Sequence, residues 1–274
     1  MIGLVEPLAP STHELKKSNP RSIRELITSV SASRLTTWQQ CRLKFWFRYV
    51  AGLVKAPGAA LHFGSTVHAV LQQWNLGRWR KTPLDAPALK AVFDQAWTEQ
   101  EDIEWEDTEA ACRTSAWNVL ETYFQQTPIP ADERPEGVEV GVEADLSQHG
   151  LPRLVGVLDL VRAGGRIVDF KTTARTPDPA MVAHTTEIQT TCYGLLYREA
   201  TGNRESGIEL HHMVKTKTPK LVVTELGAAS EQQATRLFHV MEDYVQGLER
   251  GAFIPSPGLQ CASCEFFGEC RAWS

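Results

Sequence analysis

The apolar positions change period twice along this chain, and each change marks a boundary. From Ser33, the stretch "SRLTTWQQCRLKFWFRYVAGL" sets Trp38, Cys41, Phe45 and Tyr49 at spacings of three and four, one stripe of a helix with Arg42, Lys44 and Arg48 off it. "GSTVHAVLQQWNLGRW" keeps that period through Val67, Val70, Leu71 and Trp74. Two or three further helices, rich in Trp and acidic residues, are expected to about Gln126, before "TPIPADERPEG" breaks the pattern. Strand periods follow: "VEVGVEADL" alternates, "LVGVLDLV" is almost continuously apolar, and "RIVDFK" comes after a Gly-rich turn. A helix is expected from about Glu187 to Ala200, then strands "IELHHMVK" and "KLVVTEL". An amphipathic helix through Ala234, Leu237, Met241, Val245 and Leu248 leads into a tail with three cysteines.

These periods predict an α/β fold. Residues 1–30, polar and irregular, read as a flexible arm. Residues 31–274 read as one domain: 31–130 mostly helical, 135–228 the α/β core, and 229–274 a helix plus tail.

Of 274 residues, 42% are hydrophobic and 22% charged, which fits a folded globular chain and excludes a disordered one. No apolar run is long enough for a membrane span, and the N-terminus lacks a basic start followed by an apolar core, so a cytoplasmic setting is expected. The net charge of −5 means that a nucleic-acid partner has to be held by a local basic groove.

If Ala163, Gly164 and Gly165 form a three-residue hairpin loop, Arg162 pairs with Arg166, and counting outward sets Asp159 opposite Asp169. Side chains alternate across a strand, so Asp169 and Lys171 point to one face. Facing carboxylates repel unless a cation or a proton lies between them, and Mg²⁺ favours such hard oxygen ligands. A lysine beside them offsets charge that develops on a phosphorus centre. Taken alone, the same residues also fit an ion pair where a strand leaves the core.

Gly156-Val157-Leu158-Asp159 followed by Asp169-Phe170-Lys171 resembles the PD-(D/E)XK nuclease superfamily. "VHAVLQQW", with His68, and "QTTCYGLLY", with Gln189 and Tyr193 four apart on one helix face, resemble its RecB-like branch. The resemblance implies a restriction-endonuclease-like mixed β-sheet core flanked by helices. It also implies Mg²⁺ or Mn²⁺ held by His68, Asp159, Asp169 and the main-chain carbonyl of Phe170. Lys171 would activate the water, and Gln189 and Tyr193 would position Lys171 or the DNA strand. Glu143 is a weaker candidate, since a Glu in an alternating strand more often faces solvent.

Six cysteines in a reducing setting suggest thiolates. Cys261, Cys264 and Cys270 follow a Cys-x2-Cys-x5-Cys spacing with no second local pair, and Cys41 is the attractive distant fourth ligand. This one-plus-three arrangement resembles the iron–sulfur RecB-like nucleases, among them the AddB nuclease domain and the CRISPR-associated RecB-like exonucleases. It implies a structural [4Fe–4S] cluster, with zinc as the rival occupant. Those relatives often carry proline after the first cysteine, where this chain has Arg42. Cys112 and Cys192 read as buried small hydrophobes.

The function implied is a metal-dependent DNA nuclease, an exonuclease preferring single-stranded DNA or free ends. The alternative is a nuclease-fold DNA-end-binding or adaptor protein that assembles with a helicase or integrase. Candidate backbone contacts are Arg34, Arg42, Lys44, Arg78, Arg80, Lys81, Lys215, Lys217 and Lys220, each of which also fits plain solvated surface.

Overall fold

In the computed structural model, which describes residues 20–99, 103, 105 and 108–273, the hairpin turn closes as counted. Arg162 pairs with Arg166, Val161 with Ile167 and Leu160 with Val168, and Gly164 and Gly165 both take the positive φ that favours glycine. The hairpin joins β3 (Arg153–Arg162) to β4 (Arg166–Thr173) at the centre of a mixed sheet. β1 (Ser29–Val30) pairs parallel to β3, and β2 (Gly137–Ala144) pairs antiparallel to it. Beyond β4 lie β5 (Gly207–Val214), parallel, and β6 (Lys220–Leu226), antiparallel.

The helices are α1 (Ile23–Thr28), α2 (Ala32–Gln40), α3 (Arg42–Phe45), α4 (Ala59–Trp79), α5 (Ala86–Thr98) and α6 (Glu109–Gln126). After β4 come α7 (Pro179–Thr185) and α8 (Glu187–Thr201), and after β6 come α9 (Glu231–Glu249) and α10 (Phe267–Ala272). One face of the sheet packs Leu154, Leu158, Ile167 and Ile208 against α1, α2, α8 and α9. The opposite face packs Leu160, Val168, Phe170 and Met213 against α4, α5 and α6. A third apolar cluster of Leu43, Phe47 and Phe266 lies beneath Cys41, Cys264 and Cys270.

Three sequence expectations are corrected. Residues 23–30 are not a loose arm. Ser22 and Glu25 form a capping box for α1, Leu26 is fully buried, and β1 extends the sheet. The first nineteen residues of that expected arm lie outside the described residues.

The stripe through Cys41 is not one helix. α2 stops at Gln40, Cys41 is extended (φ −167°, ψ 115°), and its sulfur accepts from Lys44 N at the start of α3. The break has a packing cause: Trp38 is buried against Phe45 and Tyr244 in one core, while Leu43 and Phe47 belong to the cysteine cluster. α7 was not expected, although Asp178 caps it and Pro179 occupies its first turn, a start signal present in the sequence.

Candidate active site

The β3–β4 ladder ends at Leu160 and Val168, one pair short of Asp159 and Asp169. Past that point the strands part. The N–H of Phe170, deprived of a strand partner, donates to Asp159 Oδ2 at 3.0 Å. β2 is disturbed at the same level, since Gly137 to Ala144 pair with β3 on either side of Glu139 and Asp159 but not at that pair. Glu139 has φ +50°, rare for a residue with a side chain. The alternation shifts there. Val138 packs on the α4–α6 face, whereas Val142 and Ala144 pack on the other; on β3, Leu158 and Leu160 also part company. The kink turns Asp159 towards α4.

His68, on α4, meets it. Its Nδ1 lies 3.6 Å from Asp159 Oδ2, and its Nε2 lies 2.8 Å from the main-chain oxygen of Phe170. With Nε2 donating to that oxygen, Nδ1 faces a carboxylate at a distance too long for a hydrogen bond. Among the described residues, His68, Glu139 and Asp159 bring three ligand atoms within 4.8 Å of one another. Burial raises the Asp159 carboxyl above its ordinary value, and the Asp169 charge adds to this against the opposing His68. Burial and Asp159 do the same to Glu139. Such a group of acids around an imidazole has the donor chemistry of a divalent-cation site.

Asp169 sits on the α8 side of the fork and is only 2% exposed. Its Oδ1 accepts from Tyr193 Oη at 2.8 Å and from Gln189 Nε2 at 3.1 Å. Lys171 Nζ lies 3.1 Å from Oδ1 and 2.8 Å from Oδ2. Apart from that ion pair, Oδ2 has no hydrogen-bond partner, which leaves a buried lone pair available. Gln189 also donates to Tyr193 at 2.6 Å, so the two residues four apart on α8 act as one clamp on the carboxylate. His212, paired beside Lys171 in the sheet, is buried with Nδ1 unpartnered, and burial holds its pKa below the ordinary histidine value.

The structure therefore gathers His68, Asp159, Asp169, Phe170, Lys171, Gln189 and Tyr193 at the fork. It leaves Glu143 outside: that side chain is exposed and paired with Arg153 at 2.9 Å. Glu139 is the residue that sequence reasoning missed. Its one signal was a second acid in the alternating "VEVGVE", and eight residues of connection between β2 and β3 leave no tight turn from which to count its partner.

Cys41, Cys261, Cys264 and Cys270 line a single cavity of about 60 Å³ together with Phe47, Phe266 and Phe267. Burial raises the Cys270 thiol, and repulsion from Cys41, Cys264 and Cys261 adds to it. Cys192 is fully buried elsewhere, its thiol pushed up to about 12. Lys55 pairs with Glu269, and Lys44 and Arg48 pair with Glu265, so ion pairs dock the tail beside Cys41.

Four of the nine candidate DNA contacts are occupied: Arg34 donates to the Ser29 carbonyl and Lys44 pairs with Glu265. Arg42 pairs with Asp243, and Arg78 is buried against the carbonyls of Pro130 and Glu133. Trp38 is core, its indole N–H donating to Asp243. No helix among the described residues is long and apolar enough to cross a membrane.

Among solved structures, the chain is similar to a "putative exonuclease" from Eubacterium rectale, with TM-score 0.57 and 15% identity over 95% of this chain and 94% of that one. It also aligns with the protein SSO0001 at TM-score 0.43 and 12% identity, over 89% of this chain and 86% of the other. No curated protein matches it significantly. The mixed sheet, with an acid on each of two parting strands and a lysine two residues beyond the second, agrees with the family model for the PD-(D/E)XK nuclease superfamily, which matches residues 29–271, and the chain belongs to that superfamily.

Proposed function

We propose that the protein is a metal-dependent deoxyribonuclease of the RecB-like kind, an exonuclease that prefers single-stranded DNA. The observation that carries this reading is the fork itself, where Asp159, His68 and the Phe170 carbonyl face one another and Lys171 flanks Asp169. His68, Glu139, Asp159, Asp169 and the Phe170 carbonyl would hold Mg²⁺ or Mn²⁺. A divalent cation in such a site acidifies water and offsets charge on phosphoryl oxygens.

The chain's own groups do the rest. Lys171, a fixed cation on the same strand face as Asp169, favours the deprotonated form of a nearby water and stabilises charge developing on the phosphate. Tyr193 and Gln189 hold Asp169 in one rotamer, so that its Oδ2, which meets only the Lys171 ammonium, keeps its direction. Asp159 is oriented from behind by the Phe170 N–H.

We further infer a [4Fe–4S] cluster held by Cys41, Cys261, Cys264 and Cys270. What supports this reading is that the four sulfurs, one from the break between α2 and α3 and three from the tail, line one cavity.

The test is degradation of end-labelled linear single- and double-stranded DNA with Mg²⁺ or Mn²⁺, beside Lys171→Ala. The expected result is metal-dependent shortening from an end, faster on single strands, with at least a hundredfold loss in the variant. Equal activity of the two proteins, or inertness of both, removes the catalytic reading and leaves the end-binding adaptor.

A further inference from the structure

Many basic side chains among the described residues are tied to acids, but a set at the mouth of the fork is not. β4 ends in "KTTARTP" (residues 171–177), and β5 and β6 are joined by "KTKTPK" (residues 215–220). The two segments run side by side: Thr173 pairs with Val214, and Lys215 N donates to Thr173 O at 2.8 Å. Together they carry Lys171, Arg175, Lys215, Lys217 and Lys220 and no acidic residue. Lys171 serves Asp169, and among the described residues the other four form no ion pair.

Position relates this rim to the fork. His212 pairs beside Lys171, and three residues on, about 10 Å along the strand, comes Lys215. Its ammonium lies 4.8 Å from the ring centre of Phe63, on α4 about 7.5 Å before His68. Arg80 and Lys81, the other exposed candidates, follow α4 at its far end, about 18 Å or more beyond His68. In a protein of net charge −5, four unneutralised cations next to Lys171 make a local attractive field at the fork.

We propose that these two loops form a phosphate-binding rim, in which Arg175, Lys215, Lys217 and Lys220 hold the DNA backbone that flanks the phosphate at the fork. This rests on the nuclease reading for its substrate, not for its geometry. Threonines interleave the basic residues at 172, 173, 176, 216 and 218; the hydroxyls of Thr173 and Thr216 brace the loops by donating to the carbonyls of Arg175 and Thr218, and the cations beside them suit phosphate contacts, which carry no sequence information.

The test is binding of a fluorescein-labelled single-stranded 20-mer DNA in EDTA across a salt series. The wild type is compared with Arg175→Gln, Lys215→Gln, Lys217→Gln and Lys220→Gln combined, and with Arg21→Gln, Arg24→Gln, Arg204→Gln and Arg250→Gln combined as an equal charge change elsewhere. Each backbone contact contributes about 0.7 to the slope of log K against log salt for single strands, so the rim variant is expected to lose about 2–3 in slope. Its affinity at low salt is expected to fall at least tenfold, while the control keeps its slope. Should the rim variant melt well below the wild type, Lys217→Glu and Lys220→Glu, both exposed, are read singly. An unchanged slope in the rim variant, or an equal loss in the control, overturns the rim whether or not the protein cleaves DNA. A slope loss with a wild type that leaves DNA intact keeps the rim and removes the nuclease reading alone.

Discussion

Phe170 N donates to Asp159 Oδ2 across the point where β3 and β4 part, so the carboxylate takes the place of a strand carbonyl. This bond ties the shape of the fork to the residue that faces His68. Asp159→Ala orphans a buried N–H, which costs about 1–3 kcal/mol. Asp159→Asn keeps an acceptor and also removes the repulsion with Asp169. Urea midpoints in EDTA are expected to rank Asn at or above wild type and Ala below it. Both variants should lose Mn²⁺ binding by calorimetry. Equal midpoints for the two variants would show that Phe170 N–H finds another partner.

Local signals made much of this site legible. "RAGGR" fixed the register of β3 on β4, because two glycines at positive φ and alternating flanks define the hairpin within five residues. The spacing of Gln189 and Tyr193 placed both on one turn of α8, which the shared contact with Asp169 bears out. Two features were hidden because their causes are not local. The change of facing at Glu139 and Asp159 comes from two strands packing different helix layers on either side of one residue pair. The break at Cys41 comes from a chain that must serve two separate apolar clusters within a dozen residues.

The cysteine cavity leads to a compositional prediction. Anaerobically purified protein is expected to be brown, with about four irons and four sulfides per chain. Serine at Cys41, Cys261, Cys264 or Cys270 is expected to lower the iron content, whereas Cys192→Ala, in the main core, should leave it unchanged. Colourless wild-type protein with one zinc per chain would assign the site to zinc. The ion pairs of Glu265 and Glu269 should keep the tail docked in part, so the serine variants are expected to melt lower without unfolding outright.

Behind the fork, Arg162 donates to Glu133 and to the buried Glu209, which His211 also contacts at 2.9 Å. Burial alone raises the Glu209 carboxyl, but the His211 hydrogen bond and the Arg162 charge outweigh it and hold it below the ordinary value. A depressed folded pKa contributes stability above the unfolded-chain value, and that stability is lost as pH falls through the folded one. Arg162→Ala leaves the buried Glu209 with His211 at 2.9 Å and Arg166 at 3.5 Å but without its main cation, and is expected to cost about 3 kcal/mol at pH 7. The folded pKa rises from its depressed position, so the deficit should shrink as pH falls towards about 4–5. Urea midpoints of both proteins at pH 7 and pH 5 check this. A deficit independent of pH would place the loss in packing and not in Glu209.

Glu139 combines a left-handed backbone with a carboxylate pressed against Asp159 and His68. Neither feature favours the fold without a cation: the backbone conformation strains any residue with a Cβ, and the charge repels its neighbour. The two can be separated by substitution. Glu139→Ala removes the charge and keeps the strain, while Glu139→Gly removes both, so in EDTA the glycine variant is expected to exceed the alanine variant by about 1 kcal/mol. If Glu139 is a ligand, both should weaken Mn²⁺ by a similar factor, roughly tenfold, since the ligand charge is lost equally. Calorimetric Kd values that match the wild type would make Glu139 a feature of the strand kink alone. A Kd weakened in alanine but not in glycine would assign the effect to backbone geometry at Asp159. Only the parallel loss in both assigns it to the carboxylate, and with it the reason a strand carries an acid where its backbone would favour glycine.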